Sequence, residues 1–214
     1  MKFIVWILVF ILVSCSHEQG KNTVSITSGT KGIVKYPNME NSIYLTSDAF
    51  DKESPEKAIK IHQGHFLSNK NSKAQNEAAL NSMEVNNFHI VNLTLEDIAI
   101  AEKQEIKFED YKKLIFLNSS INDLSKDDLY AKQNVVPYYI FANVVFIGLS
   151  DKVADKSIDT NRFLINDYVF SVLKVRKITR DKNFKTYILI HNLGKEINDI
   201  MDRLPPTFIN SLAN

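Results

Sequence analysis

Cysteine and glycine are both scarce in this chain of 214 residues. The single cysteine, Cys15, cannot form an intramolecular disulfide, which excludes a small scaffold held together by disulfides. The six glycines form neither a P-loop nor a dinucleotide-binding motif, and no G-x-S-x-G nucleophile motif occurs. The chain therefore lacks the usual sequence signatures of nucleotide-binding folds and of serine hydrolases.

An excess of either charge is also missing. The chain contains 26 lysines and arginines and 25 aspartates and glutamates, which gives a formal net charge of +1. A chain with so even a balance has no overall electrostatic attraction to the phosphate backbone of DNA or RNA. We therefore expect no nucleic-acid partner.

Long apolar runs are missing too, with one short exception near the N-terminus. After Lys2, residues 3–13 are all apolar, and Ser14 and Cys15 follow them. This run is too short for a transmembrane helix, which needs about 20 residues to cross the hydrocarbon core. A short apolar segment behind a basic residue is typical of a signal peptide, which we predict over residues 1–14.

The end of this segment resembles the processing site of bacterial lipoproteins, where small residues lead into a cysteine. The resemblance implies that Cys15 becomes an N-terminus carrying acyl chains such as palmitate, which anchor the protein to a membrane of the cell envelope. Ser16 follows the cysteine where an aspartate would alter sorting, which in that family implies the outer membrane if the cell has one. The alternative is an ordinary signal peptide followed by a chance cysteine.

The rest of the chain divides into a short polar tether, residues 15–22, and one domain over residues 23–214. Strand-like and helix-like segments alternate along this domain, which favours a layered α/β structure around a sheet core. We predict strands at 24–27, 42–46, 58–62, 88–93, 114–117 and 187–190, helices at 72–85, from Thr94, at 169–178 and at 195–204, and a hairpin of 135–141 with 144–149.

Four stretches of the domain resemble the metallophosphoesterase domain of the 5′-nucleotidase and UDP-sugar hydrolase family. They are residues 81–93 (NSMEVNNFHIVNL), 114–121 (LIFLNSSI), 136–149 (VPYYIFANVVFIGL) and 188–194 (ILIHNLG). The resemblance implies a four-layer α/β/β/α sandwich, in which two sheets pack between helices. The family continues into further strands where this chain stops, so a fold without its last strands is part of the expectation.

The family holds two metal ions with ligands from five motifs, and this sequence departs from four of them. The fifth keeps its histidine, His191. The altered ligand positions are Gly29 and Lys31, His65, Leu95 and Glu96, and Leu212 and Asn214. His65 in place of the bridging aspartate removes the negative charge that offsets repulsion between the two cations. The ammonium of Lys31 would add to that repulsion. We therefore expect no catalytic residues and no cofactor, and a protein that acts by binding or by structural association.

Two alternatives stay open. His62, His65 and His191 could bind one divalent metal such as zinc, with Glu96 as the fourth ligand or general base of a mononuclear phosphoesterase. In the simpler interpretation, His62 and His65 are polar residues at strand ends and His191 is a remnant of the ancestral site. The second alternative is a surface adhesin or structural lipoprotein of unrelated fold. In a shortened fold, an exposed sheet edge would be a place where an envelope protein partner pairs.

Overall fold

Two β-sheets lie face to face between two layers of helices in the computed structural model of the chain. It describes residues 32–34, 42–54, 58–124, 135–152, 161–182 and 184–210. The elements in chain order are β1 (Gly32–Val34), β2 (Ser42–Thr46), β3 (Ala58–His62), α1 (Lys73–Val85), β4 (Ile90–Asn92), α2 (Leu95–Lys103), β5 (Ile115–Leu117), β6 (Ile121–Asp123), β7 (Val135–Val136), β8 (Tyr139–Phe141), β9 (Val144–Gly148), β10 (Phe163–Ile165), α3 (Tyr168–Thr179), β11 (Thr186–Ile190), α4 (Glu196–Asp202) and β12 (Phe208–Asn210).

The strands are mostly parallel. Among the described residues, sheet one has six strands in the order β1-β2-β3-β4-β5-β7, of which only the β1–β2 pair is antiparallel. Sheet two has four strands in the order β12-β11-β9-β8, of which β8 is antiparallel to β9. Strands β6 and β10 form a separate antiparallel pair. Crossovers between parallel strands are usually helical, and α1, which joins β3 to β4, and α2, which joins β4 to β5, cover the outer face of sheet one in this way.

Three buried apolar clusters hold the layers together. The middle cluster joins the facing sides of the two sheets, with Ile61 of sheet one and Phe146 of sheet two among its members. A second cluster packs α1 and α2 against the outer side of sheet one around Phe116, and a third packs α3 and α4 against the outer side of sheet two around Ile147. The α/β/β/α layering predicted for this chain is thereby confirmed.

Helices α1, α2 and α3 begin where side-chain caps satisfy the first backbone N–H groups. Ser72 and Gln75 form a capping box at α1, and Thr94 and Asp97 form another at α2, so both predicted starts are confirmed. Helix α3 also forms as predicted despite its β-branched residues, because its buried valines pack on sheet two and override their weak helix propensity. The predicted helix at 195–204 is α4, which ends before the two prolines.

The predicted hairpin is correct in its turn and wrong in the extent of its first arm. Ala142 and Asn143 both have left-handed backbones, with φ of 47° and 64°, as a two-residue hairpin turn requires. However, the chain changes sheets at Pro137: β7 pairs with β5 in sheet one, whereas β8 pairs with β9 in sheet two. Proline has no N–H for a strand ladder, which suits it to this crossing point.

Strand β3 lies in the middle of sheet one and buries even its lysine. Only 1% of Lys60 is exposed, and its Nζ donates a hydrogen bond to the backbone carbonyl of Asp51. The ammonium lies 4.0 Å from Asp51 Oδ1 and 4.5 Å from the centre of the Phe88 ring. The Tyr44 hydroxyl donates a hydrogen bond to the Asp51 carboxylate, over 2.8 Å. The buried cation is therefore compensated by a carboxylate and an aromatic face.

Several predictions lie outside the described residues: the signal peptide at 1–14, the tether at 15–22 with Cys15, the strand at 24–27, and the altered ligand positions Gly29, Lys31, Leu212 and Asn214. Within the described ranges, no helix combines the length and the apolarity that crossing a bilayer requires.

Candidate functional site

The candidate site lies where the carboxyl ends of strands from both sheets meet. Asn92, at the end of β4, joins them: its Nδ2 donates to the carbonyls of Gln63, after β3, and of Leu149, after β9, over 3.0 and 3.1 Å. Open α/β sheets bind ligands at such edges, because the polar loops there converge. The predicted site residues His62, His65, Glu96 and His191 all lie in the segments that form this edge.

His65 is the centre of a cluster of acidic side chains. Its Nε2 lies 2.9 Å from Asp151 Oδ2 and its Nδ1 lies 3.3 Å from Glu96 Oε2. Burial opposes its charge, but the hydrogen bond to Asp151 and the charges of Asp97, Asp151 and Glu96 outweigh burial and raise the pKa of His65 to about 9. At neutral pH this side chain is therefore an imidazolium, hydrogen-bonded to Asp151 through Nε2 and ion-paired with Glu96 through Nδ1.

Asp97 fixes the loop that carries His65. The carboxylate is fully buried and accepts the backbone N–H of His65 at 3.0 Å and that of Leu67 at 2.9 Å. It also accepts the Thr94 hydroxyl at 2.6 Å and, as part of the capping box of α2, the Thr94 backbone N–H at 3.2 Å. The His65 backbone has a φ of 56°, a left-handed conformation that costs free energy and that these hydrogen bonds offset.

His62 and His191 are buried and neutral. His62 Nδ1 accepts the backbone N–H of Gly64 at 3.1 Å, while its Nε2 has no hydrogen-bond partner within the described part of the chain. His191 Nδ1 accepts the N–H of Leu193, and its Nε2 lies 2.6 Å from Asn210 Oδ1. Burial lowers the pKa of both histidines to about 4. Accepting Nδ1 atoms place the proton of each ring on Nε2.

The structure therefore brings only part of the predicted set into contact. His65 and Glu96 form an ion pair, whereas His62 and His191 direct nitrogens to backbone amides and to Asn210. Considering the described residues alone, no three histidine, cysteine, aspartate or glutamate side chains form a group that could hold a metal ion. The mononuclear zinc site and the loss of the dinuclear site both stay predictions.

Two residues of this edge escaped sequence reasoning. Asp151 follows β9 by three positions, just as His65 follows β3 by three positions, and this shared placement after a buried strand is the signal that could have found it. The second is Gly148, at the end of β9. A Cβ there would lie 2.4 Å from the Leu117 carbonyl oxygen and 2.6 Å from Asn92 Oδ1, so only glycine lets the two sheets approach so closely.

No family model and no curated protein matches this sequence. Solved structures do. The chain is similar to the NAD nucleotidase NadN of Haemophilus influenzae at 14% identity and a TM-score of 0.57, with 84% of this chain and 34% of that chain covered. A 5′-nucleotidase precursor from Thermus thermophilus matches at 15% identity and a TM-score of 0.57, over 75% and 33% of the two chains.

A third similar structure is the sulfate thiohydrolase SoxB of Thermus thermophilus, at 11% identity and a TM-score of 0.55, with 72% of this chain and 30% of that chain covered. This protein spans about a third of the length of each of these three structures. Structural similarity at sequence identities this low shows the fold alone. That fold agrees with the architecture predicted from the four stretches of sequence. The chain has the fold of the 5′-nucleotidase-like metallophosphoesterases.

Proposed function

We propose that this protein is an envelope lipoprotein whose metallophosphoesterase-like domain is catalytically silent and acts by binding or structural association. The observation that carries the proposal is the ion pairing of His65 with Glu96 and Asp151. By resemblance, His65 stands at the position of the metal-bridging aspartate. A protonated imidazole at that position repels a divalent cation, whereas the aspartate would attract it.

Metal binding at this edge would have to overcome the protonation of His65. With a pKa of about 9, roughly one His65 ring in a hundred is neutral at pH 7. To bind His65, a metal ion would have to displace a proton from the ring and also break its ion pairs to Glu96 and Asp151, because a ligating imidazole is neutral. The charge of the acidic side chains that remain at the edge is already partly offset by His65.

Metal analysis and activity assays of the purified full-length protein test catalytic silence. We expect no stoichiometric zinc, manganese or magnesium, and hydrolysis of AMP, UDP-glucose and bis(p-nitrophenyl) phosphate at the rate of a His191→Ala control. Bound metal together with metal-dependent hydrolysis that His191→Ala abolishes would overturn the proposal. One equivalent of zinc that is lost in His62→Ala and in His65→Ala alike would establish the mononuclear alternative.

Labelling with an alkyne analogue of palmitate tests the lipid anchor. We expect the native chain to be labelled and to sediment with membranes, and we expect Cys15→Ser to lose both properties because it lacks the acylated thiol. Ser14→Ala, which keeps a small residue before the cysteine, is the matched control and should be labelled normally. An unlabelled native chain, or one cleaved elsewhere, would show that Cys15 is a chance residue.

A further inference from the structure

Helix α3 exposes large apolar side chains that the fold does not use. The valines Val169, Val172 and Val175 face sheet two and are buried in the outer cluster. On the solvent side, Phe170 is 65% exposed and Leu173 is 38% exposed. Ile178, nearer the end of the helix, is also more than half exposed. Exposed apolar groups clustered on one element mark an interaction surface.

The same helix concentrates positive charge. Residues 168–182 contain five basic residues and one acid, so 5 − 1 gives a net charge of +4, against +1 for the whole chain. The five basic residues are exposed, and the ion pairs within the described ranges involve other lysines and arginines. They are Lys174, Arg176, Lys177, Arg180 and Lys182.

Apolar and basic side chains lie side by side on this surface. Phe170, Leu173, Lys174 and Lys177 follow the spacing i, i+3, i+4, i+7, which places them on one face of a helix. Cations near the C-terminus of α3 complement its dipole, and that accounts for a basic last turn. The dipole does not account for Phe170 and Leu173, which expose apolar surface among the lysines.

We propose that this face of α3 docks on an anionic phospholipid bilayer, with Phe170 and Leu173 in the interface and the lysines on the lipid phosphates. The inference rests on the proposed anchor at Cys15, because the anchor holds the domain beside a membrane. Apolar side chains flanked by long cationic ones are the composition of helices that lie in a membrane interface. Charge complementarity selects an anionic lipid surface, to which each nearby lysine or arginine is attracted.

Docking through α3 also gives the domain a defined orientation. Helices α3 and α4 cover the outer side of sheet two, and α1 and α2 cover the outer side of sheet one. A membrane on the α3 side therefore leaves the α1 and α2 layer facing away from the lipid. The acyl anchor attaches the protein to the membrane, and α3 sets which side of the domain faces it.

Tryptophan fluorescence on the lipidated full-length protein tests the proposal, because Trp6, the single tryptophan, belongs to the predicted signal peptide. Phe170→Trp places a probe on α3, and Phe50→Trp, at a residue that is also exposed, is the matched control near β2. Both proteins are reconstituted into vesicles of phosphatidylglycerol and phosphatidylcholine with brominated acyl chains. We expect strong quenching and a blue shift for Phe170→Trp, and neither for Phe50→Trp.

Neutralising the lysines tests the role of charge. Lys174→Gln with Lys177→Gln, in the Phe170→Trp protein, should lower the ratio of docked to undocked domain about 30-fold, from the attraction of two basic residues to the lipid. Lys107→Gln with Lys112→Gln removes two exposed charges on the other side of the sandwich and should change nothing.

Quenching of Phe170→Trp no greater than that of Phe50→Trp overturns the docking proposal, and so does equal quenching in vesicles of phosphatidylcholine alone. If Phe170→Trp is not quenched and its emission stays that of a tryptophan in water, the result is what an acidic protein partner for α3 would give. Flotation of the same samples reports the anchor separately. A protein that floats without quenching keeps its anchor and loses the docking, and a protein that does not float disproves the anchor.

Discussion

Replacing His65 with asparagine should change how the stability of this protein depends on pH. Asparagine tolerates the left-handed backbone of residue 65, whose φ is 56°, so the variant keeps the loop while removing the imidazolium. In the native protein the ring lies 2.9 Å from Asp151 and 3.3 Å from Glu96, and its pKa is raised to about 9. The folded state therefore binds this proton more tightly than the unfolded state does.

The direction of the effect follows from that difference. The proton that His65 binds more tightly in the folded state stabilises the fold fully below pH 6.5. This stabilisation is lost as the pH rises from 6.5 through about 9. Each unit between the two pKa values corresponds to about 1.4 kcal/mol. About a third of the His65 side chain, 34%, is exposed, so water screens its ion pairs, and we expect about 1–2 kcal/mol in total.

Urea unfolding followed by circular dichroism, from about pH 6 to about pH 9.5, measures this change. Over this range the free energy of unfolding of the native protein should fall by about 1–2 kcal/mol relative to that of His65→Asn, because the contributions of His62 and His191 are the same in both proteins. His89→Asn replaces a histidine outside the acidic cluster whose pKa is lowered by burial, so above about pH 7 it should keep the native slope. Equal slopes for the native protein and His65→Asn would refute the assignment of an ion-paired imidazolium.

Three further changes test other parts of the structure. Acid should lower the Tm, because burial lowers the pKa of His62 and His191 to about 4, so their neutral forms stabilise the fold fully above pH 6.5 and progressively less as the pH falls. Lys60→Met should cost about 3–5 kcal/mol in urea unfolding, since a buried carboxylate loses its cation. Gly148→Ala should cost about 2–3 kcal/mol, because the new Cβ would lie 2.4 Å from a backbone carbonyl oxygen. At Gly194 a Cβ would meet open space, and the strain there comes from the left-handed φ of +57°, so Gly194→Ala should cost about 1 kcal/mol. A larger loss of stability at Gly194 than at Gly148 would contradict the packing argument.

Local patterns predicted the elements that depend on local interactions. The strands expected at 42–46 and 58–62 are β2 and β3 to the residue, because runs of β-branched and aromatic residues favour extended backbone. The helix expected from Thr94 begins there because hydrogen bonds to residues three positions along decide a helix start. Such interactions are written within a few neighbouring residues, so a single sequence reveals them.

Interactions between distant residues were not predictable in the same way. The ion pair of His65 with Asp151 joins residues 86 positions apart, and no local pattern relates them. The burial of Lys60 depends on the aspartate and aromatic rings that the fold places around it, and those residues are not part of the strand at 58–62. The change of sheets at Pro137 likewise required knowing that β5 and β9 lie in different sheets.

The separation between the apolar core and the polar residues of the site explains how a fold can survive the loss of its site. The three apolar clusters that hold the layers together lie between the two sheets and between the sheets and the helices. None of the polar residues of the site belongs to them: His62, His65, Glu96, Asp151 and His191. Losing metal ligands would therefore leave the core intact, but it would leave acidic side chains close together without a cation. Glu96 and Asp151 both approach one ring, and without its charge they would repel each other. The His65 imidazolium offsets that repulsion from within the chain, so the silent edge that we propose needs no bound ion to hold its carboxylates together.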